Sequence, residues 1–271
     1  MTRRLRVVGR LLALVIALGL VTAACGDDPR DEGASSSTTS STQAQITGDI
    51  TVSAAASLKE AFATIAADFE AANPGTTVTI NFGSSGDLTT QIQSGAPADV
   101  AAFAAESNMR TLADAGLLDG DYELFATNSL VIVTKPGNPA GVKSLADLAT
   151  VGTVSLCADT APCGKYADQI LASSSVTIPA DRITRGQDVR ATLAAVSEGD
   201  ADAGIVYVTD AAAVGDAVAT VDIPTAENAV ARYPIGVVTA TTNPATAWAF
   251  ATFVLGPEAQ GVLEAAGFGA P

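Results

Sequence analysis

The chain has 271 residues, 48% hydrophobic and 16% charged, with 29 acids against 14 bases and a formal net charge of −15. That is enough apolar material for a globular body of one large or two small domains. The acidic excess argues against nucleic acid and anionic lipid surfaces as partners, and it repels small anions at long range, so any anion site must work through local donors.

Arg3, Arg4, Arg6 and Arg10 precede an apolar run from Leu11 to Val21 and the small residues Ala23 and Ala24. This is the pattern of an export signal over residues 1–24. The run is shorter than the roughly 20 residues a membrane span needs. V-T-A-A-C, ending at Cys25, resembles the bacterial lipobox, in which the cysteine is lipidated and becomes the mature N-terminus; Thr22 stands where that box usually has leucine. Asp27 to Ile46 is polar, rich in Ser and Thr and without periodicity, so residues 25–47 read as a flexible tether behind a lipid anchor.

From Ile50 onward strand and helix patterns alternate, which predicts an α/β body with a mainly parallel sheet. Ile50 and Val52 alternate with Thr51 and Ser53, and helical periodicity starts at Leu58 and runs to about Ala72. Ser57 and Glu60 have the spacing of a capping box at that junction. Thr76 to Phe82 reads as a strand that breaks at Gly83-Ser84-Ser85-Gly86 before a helix from about Asp87 to Ser94. Asp99 to Phe103 is a short strand, Glu106 to Ala115 a helix, and Asn128 to Thr134 a strong strand. Ser144 to Ala149 is a short helix. The strand Val151 to Leu156 empties into a loop ending at Pro162, Cys163 and Gly164, before a helix from about Lys165 to Ser173. Ile183 to Gln187 leads into a helix from about Val189 to Glu198 capped by Asp188. Asp202 to Tyr207 is a buried strand with a tyrosine at its carboxyl end. A strand from about Arg232 to Val238 and two helices, about Pro244 to Leu255 and Pro257 to Ala266, close the chain.

Four of these junctions bring a strand's carboxyl end to a helix start. There unpaired N–H groups attract anions, and open α/β sheets bind ligands at such ends. Several of the ends are apolar or hydroxylic rather than charged. The repetition suggests two lobes that contribute helix N-termini to one cleft.

With Cys25 assigned to lipid, Cys157 and Cys163 remain as a pair in an exported chain, and a disulfide closing C-A-D-T-A-P-C is the natural reading. A metal site is the competing reading, but the chain has no histidine and no other cysteine nearby.

At this point the residues resemble the periplasmic molybdate-binding proteins that serve ABC importers. The resemblance rests on A-A-A-S-L at Ala54 to Leu58, F-G-S-S at Phe82 to Ser85, G-A-P-A-D at Gly95 to Asp99, N-S-L-V at Asn128 to Val131, D-V-R at Asp188 to Arg190 and G-I-V-Y at Gly204 to Tyr207, in that order. It implies a two-lobed periplasmic-binding-protein fold of type II, each lobe a mainly parallel sheet flanked by helices. Residues 48–129 and 233–271 then form one lobe and 130–232 the other, with the ligand cleft between them. The expected ligand is molybdate or tungstate, with molybdenum present only as its oxyanion and no cofactor. The family's contacts fall on the hydroxyls and N–H groups of Ser57 and Ser85, the N–H groups of Cys163 and Val189, and the Tyr207 hydroxyl. Where this chain has Cys163 the family more often has alanine, which a backbone contact tolerates. The implied partners are a membrane permease and its ATPase, met from the outer face of the cytoplasmic membrane by a monomeric lipoprotein.

Five contact residues that offer donors reject hydrogen phosphate, whose proton needs an acceptor. Sulfate differs from molybdate only in size, so a carrier for another oxyanion such as sulfate is the alternative. An extracellular serine hydrolase using Ser57 or Ser85 is the rival from another class. It lacks any histidine and any G-x-S-x-G elbow, and a Ser–Lys pair would have to come from Lys59, Lys135, Lys143 or Lys165 without a supporting motif. The expectation is a binding protein, not an enzyme.

Overall fold

The computed structural model describes residues 46–271; the segment read as an export signal, Cys25 and nearly all of the segment read as a tether lie outside the described residues. Strands β1 (Gly48–Ala55), β2 (Thr76–Gly83) and β3 (Val100–Ala102) alternate with helices α1 (Lys59–Ala72), α2 (Ser85–Gln93) and α3 (Glu106–Asp114). The long β4 (Glu123–Thr134) follows. Then come β5 (Val154–Cys157), α4 (Pro162–Ser173), β6 (Ile183–Gly186), α5 (Val189–Ser197), β7 (Ala203–Tyr207), α6 (Val208–Val214) and β8 (Ala219–Asp222). Strand β9 (Val230–Val237), α7 (Pro244–Leu255) and α8 (Pro257–Ala265) complete the chain. Among the described residues no helix is long and apolar enough to cross a membrane.

The strands form one curled sheet in the order β2-β1-β3-β9-β4-β7-β5-β6, with β8 also paired to β4. β1 runs parallel to β2 and β3, and β5 runs parallel to β6 and β7. The antiparallel pairings all involve β4 or β9, the strands that cross the middle. β4 changes partner along its length: Glu123 to Ser129 pair with β9, and Leu130 to Thr134 pair with β7. Each parallel group therefore points its carboxyl ends toward the middle of the molecule.

Helix α1 buries Ala61, Phe62, Ile65, Ala66 and Phe69, the one-sided spacing that its sequence periodicity predicts. Phe62 meets Phe125 of β4 and Phe250 of α7 at centroid distances of 5.7 and 6.2 Å. Phe125 in turn meets Tyr233 of β9, whose ring also packs on Tyr207 and Phe268. Each such buried aromatic contributes roughly 1.5 to 3 kcal/mol. Here the rings also fix where the tyrosine hydroxyls sit.

The structure shifts several boundaries. α2 begins at Ser85 rather than Asp87, α4 at Pro162 rather than Lys165, and β4 at Glu123 rather than Asn128. α6 had no counterpart in the sequence pattern, because its seven residues begin directly after a strand with no breaker between them.

Candidate functional site

The carboxyl ends of β1, β2, β5, β6 and β7 converge on one small cavity of about 10 Å³. Its walls come from Ala55 to Ser57, Gly83 to Ser85 and Ala104 on one side, and from Ala161 to Cys163, Asp188, Val189 and Tyr207 on the other. Ser57, Ser85, Cys163, Val189 and Tyr207 thus all lie on one wall or the other. The two sides approach closely at the rim, where a Cβ added to Gly86 would stand 2.5 Å from the Thr160 carbonyl oxygen.

Three helices start at this cavity. Ser84 caps α2 with extended backbone, and the first amide to donate back is Leu88, to the Ser84 carbonyl. The Ser85 N–H therefore has no partner within its helix. In α4 the first such donor is Lys165, to Ala161; Pro162 occupies the first position, where its missing N–H costs nothing, and the Cys163 N–H is left free. In α5 the Asp188 carboxylate accepts from the Ala191 N–H at 2.9 Å, which caps the helix and leaves the Val189 N–H unused. Asp188 is the one charged residue of the wall, and this bond turns its Oδ1 toward its own helix.

The hydroxyls complete the donor set. Ser85 Oγ accepts the Ala104 N–H at 3.0 Å, so its own proton is free to point elsewhere. Ser57 Oγ lies 2.8 Å from Tyr233 Oη. The hydroxyls of Tyr207 and Ser84 are buried without an intramolecular partner. Burial first, then the neighbouring Tyr233 and other groups, raises the Tyr207 pKa well above the ordinary phenol value; the hydroxyl stays protonated and able to donate. No lysine or arginine lines the cavity.

The capping box expected for Ser57 and Glu60 does not form. Ser57 sits in a short 3-10 turn, Ala56–Leu58, without any side-chain cap, because its hydroxyl is held by Tyr233. Glu60 is engaged by Arg190 instead, with Nη1 donating to Oε2 at 3.2 Å. Behind this pair, Arg190 Nη1 lies 3.7 Å from Oδ1 of Asp210, a fully buried carboxyl on α6. Burial pushes the Asp210 pKa up to about 8, and Arg190 opposes that shift.

Cys157 and Cys163 form a disulfide with their Cα atoms 5.8 Å apart, tying the end of β5 to the first turn of α4. No cluster of His, Cys, Asp or Glu suited to a metal ion occurs among the described residues. Sequence reasoning missed Tyr233 and Gly86 as parts of this site and gave Asn128 no role. Asn128 had a signal, since it opens the N-S-L-V segment. Tyr233 had none, because its partners are remote in sequence.

A family model for bacterial extracellular solute-binding proteins matches residues 50–269. The chain is 38% identical over 262 residues to the molybdate-binding protein ModA of Mycobacterium tuberculosis, covering 96% of this chain and 97% of the relative. The solved periplasmic molybdate-binding protein of Azotobacter vinelandii superposes with a TM-score of 0.73 at 24% identity, over 82% of this chain and 99% of that one. The sulfate-binding protein SubI of Mycobacterium tuberculosis gives a TM-score of 0.73 at 23% identity, over 82% and 86%. These two structures speak to the fold, that of periplasmic binding proteins, while the family match and the 38% relative together place the chain among the bacterial extracellular solute-binding proteins.

Proposed function

We propose that the chain captures molybdate, or the isosteric tungstate, as a tetrahedral dianion and delivers it to an ABC permease and its ATPase. The observation that carries this reading is a cavity walled by hydroxyls and free helix N–H groups, with no cation in its lining and with Oδ1 of its one carboxylate, Asp188, bonded to its own helix. The ligand named for the 38% relative fits that chemistry. The two walls come from residues on either side of the partner change in β4, which supports the division into lobes of 48–129 with 233–271 and of 130–232.

The binding energy comes from neutral donors. Each charge-assisted hydrogen bond contributes roughly 1.5 to 3 kcal/mol net. Each helix N-terminus adds about 0.3 to 1 kcal/mol. Closure and ordering oppose these terms, and a net of about 8 to 12 kcal/mol corresponds to micromolar to nanomolar affinity. Ser57, Ser85 and Tyr207 act as hydroxyl donors, and Ser57, Ser85, Cys163 and Val189 as N–H donors. Anchoring through lipid on Cys25 and a monomeric carrier complete the proposal.

Sulfate is the second reading, favoured by the equal superposition of the sulfate-binding protein, since the same donors serve a smaller dianion. Calorimetric titration of the body from Gln45 onward with molybdate, tungstate, sulfate, phosphate and citrate separates the two. Saturation at about 100 times the dissociation constant stabilises the fold by roughly 2.7 kcal/mol. A response to molybdate and tungstate, lost in Ser57→Ala and Ser85→Ala, is the expected result. Preference for sulfate, or silence with every anion, retires the assignment.

A further inference from the structure

We propose that Asn128 and Tyr233, which do not line the cavity, form a hydrogen-bond relay that locks the Ser57 hydroxyl as a donor and so sets the preference for oxyanions that carry no proton. The inference rests on the reading of the cavity as an oxyanion site and names the residues that give it its polarity.

The relay is oriented from its outer end. Asn128 Oδ1 accepts the Ser129 N–H at 2.9 Å, which fixes which way the amide faces. Its Nδ2 then donates to Thr209 Oγ1 at 2.8 Å and toward Tyr233 Oη at 3.4 Å. The 2.8 Å contact between Tyr233 Oη and Ser57 Oγ is symmetric by distance alone, so either hydroxyl could donate. The Asn128 N–H breaks the tie. Tyr233 accepts a hydrogen bond from Asn128, and the hydroxyl placed at 2.8 Å for its own proton is that of Ser57. Were Ser57 to donate to Tyr233 instead, the phenol proton would be buried without a partner. Tyr233 is fully buried, with its ring held among Phe125, Tyr207 and Phe268, so its hydroxyl cannot swing to another partner. Ser57, accepting from Tyr233, keeps its proton for the cavity. Ser85 is set in the same sense by the Ala104 N–H.

Hydrogen phosphate at about pH 8 has the same double charge as molybdate but carries one proton. It meets Ser57 and Ser85 already accepting hydrogen bonds from the protein, so that their protons rather than their lone pairs face it. Tyr233→Phe releases the Ser57 rotor, which can then accept. Asn128→Asp reverses the relay: one carboxylate oxygen keeps the Ser129 N–H, the other takes the Tyr233 proton, and Ser57 donates to Tyr233 and turns its lone pairs inward. The added charge in Asn128→Asp weakens both dianions alike and leaves their ratio to report the polarity.

The test is calorimetric affinity for molybdate and for hydrogen phosphate at about pH 8, with the melting temperature of the unliganded protein as the check on folding. Tyr233→Phe is expected to weaken molybdate about tenfold and to narrow the molybdate-to-phosphate ratio at least about tenfold, with the ratio narrowing in Asn128→Asp as well. In a Ser57→Ala background Tyr233→Phe is expected to change the ratio no further. A folded variant of either kind that keeps the wild-type ratio, whatever its absolute affinity, overturns the relay. Failure of the wild type to bind molybdate at all overturns the oxyanion site itself, and that is read before any variant is compared.

Discussion

Arg190 holds Glu60 from 130 positions away, joining the start of α5 to the start of α1 beside the cavity, while its guanidinium also faces the buried Asp210 at 3.7 Å. The two contacts differ in worth. The Glu60 side is half exposed, and an ion pair of that kind contributes at most about 1 kcal/mol. The Asp210 side is dry, and removing Arg190 strips that carboxyl of its compensating charge. Glu60→Gln is therefore expected to lower unfolding stability by less than about 1 kcal/mol. Arg190→Leu costs more, and its cost grows between pH 6 and pH 9 as Asp210 ionises; urea unfolding at both values measures this, and a pH-independent cost would count against it.

Asp210 also gives the whole fold a pH dependence of definite sign. Its pKa is about 8 when folded, raised mainly by burial, against an ordinary carboxyl value of 3.8. The folded state holds this proton more tightly than the unfolded chain, so the contribution is complete below about pH 4 and declines as pH rises through about 8. Above that it is lost and flat. Asp210→Asn is expected to remove the decline, so that its midpoint exceeds that of the wild type at pH 9 by more than at pH 5. Parallel curves would show that the carboxyl is not the titrating group.

Reduction of the Cys157–Cys163 bridge opens a short loop. Chain-entropy arguments assign such a loop roughly 2 kcal/mol. The paired variant Cys157→Ala with Cys163→Ala is expected to lose about that much stability, and to weaken molybdate only modestly, because the Cys163 contribution is an N–H that alanine retains. Chemical denaturation and ligand titration of one preparation give both numbers. A large affinity loss would mean that the bridge sets the angle of the α4 amides.

Gly86 tests the closed geometry without touching a donor. A Cβ there would meet the Thr160 carbonyl at 2.5 Å, across the rim. Gly86 is partly buried in the first turn of α2, and the atom in the way is backbone, which cannot rotate aside. Gly86→Ala is thus expected to force the two sides of the rim apart, lowering the melting temperature and reducing affinity at least about tenfold. Unchanged affinity would show that the two walls do not need this approach when the ligand is bound.

The parts of the candidate site written in local pattern were legible from sequence: Ser57 and Ser85 at strand-to-helix junctions and Asp188 as a cap. Their convergence on one cavity follows from parallel strands ending on the same side. The capping box failed for a physical reason, since both its members are drawn away by remote residues, Ser57 by Tyr233 and Glu60 by Arg190. Contacts between residues 130 or 176 positions apart leave no mark on a window of a dozen residues. The first five residues of β4, Glu123 to Thr127, were missed likewise, because their partner is β9 from the far end of the chain.

A wall without lysine or arginine leaves the charge of its cargo uncancelled. The loaded protein is then more negative than the empty one by the full double charge of the anion, on a body already strongly acidic, and the two forms should separate by electrophoretic mobility. With no counter-charge to shield, added salt has little to weaken at the site itself. On the proposed reading, release hands over a bare dianion, with no proton or cation obliged to travel with it.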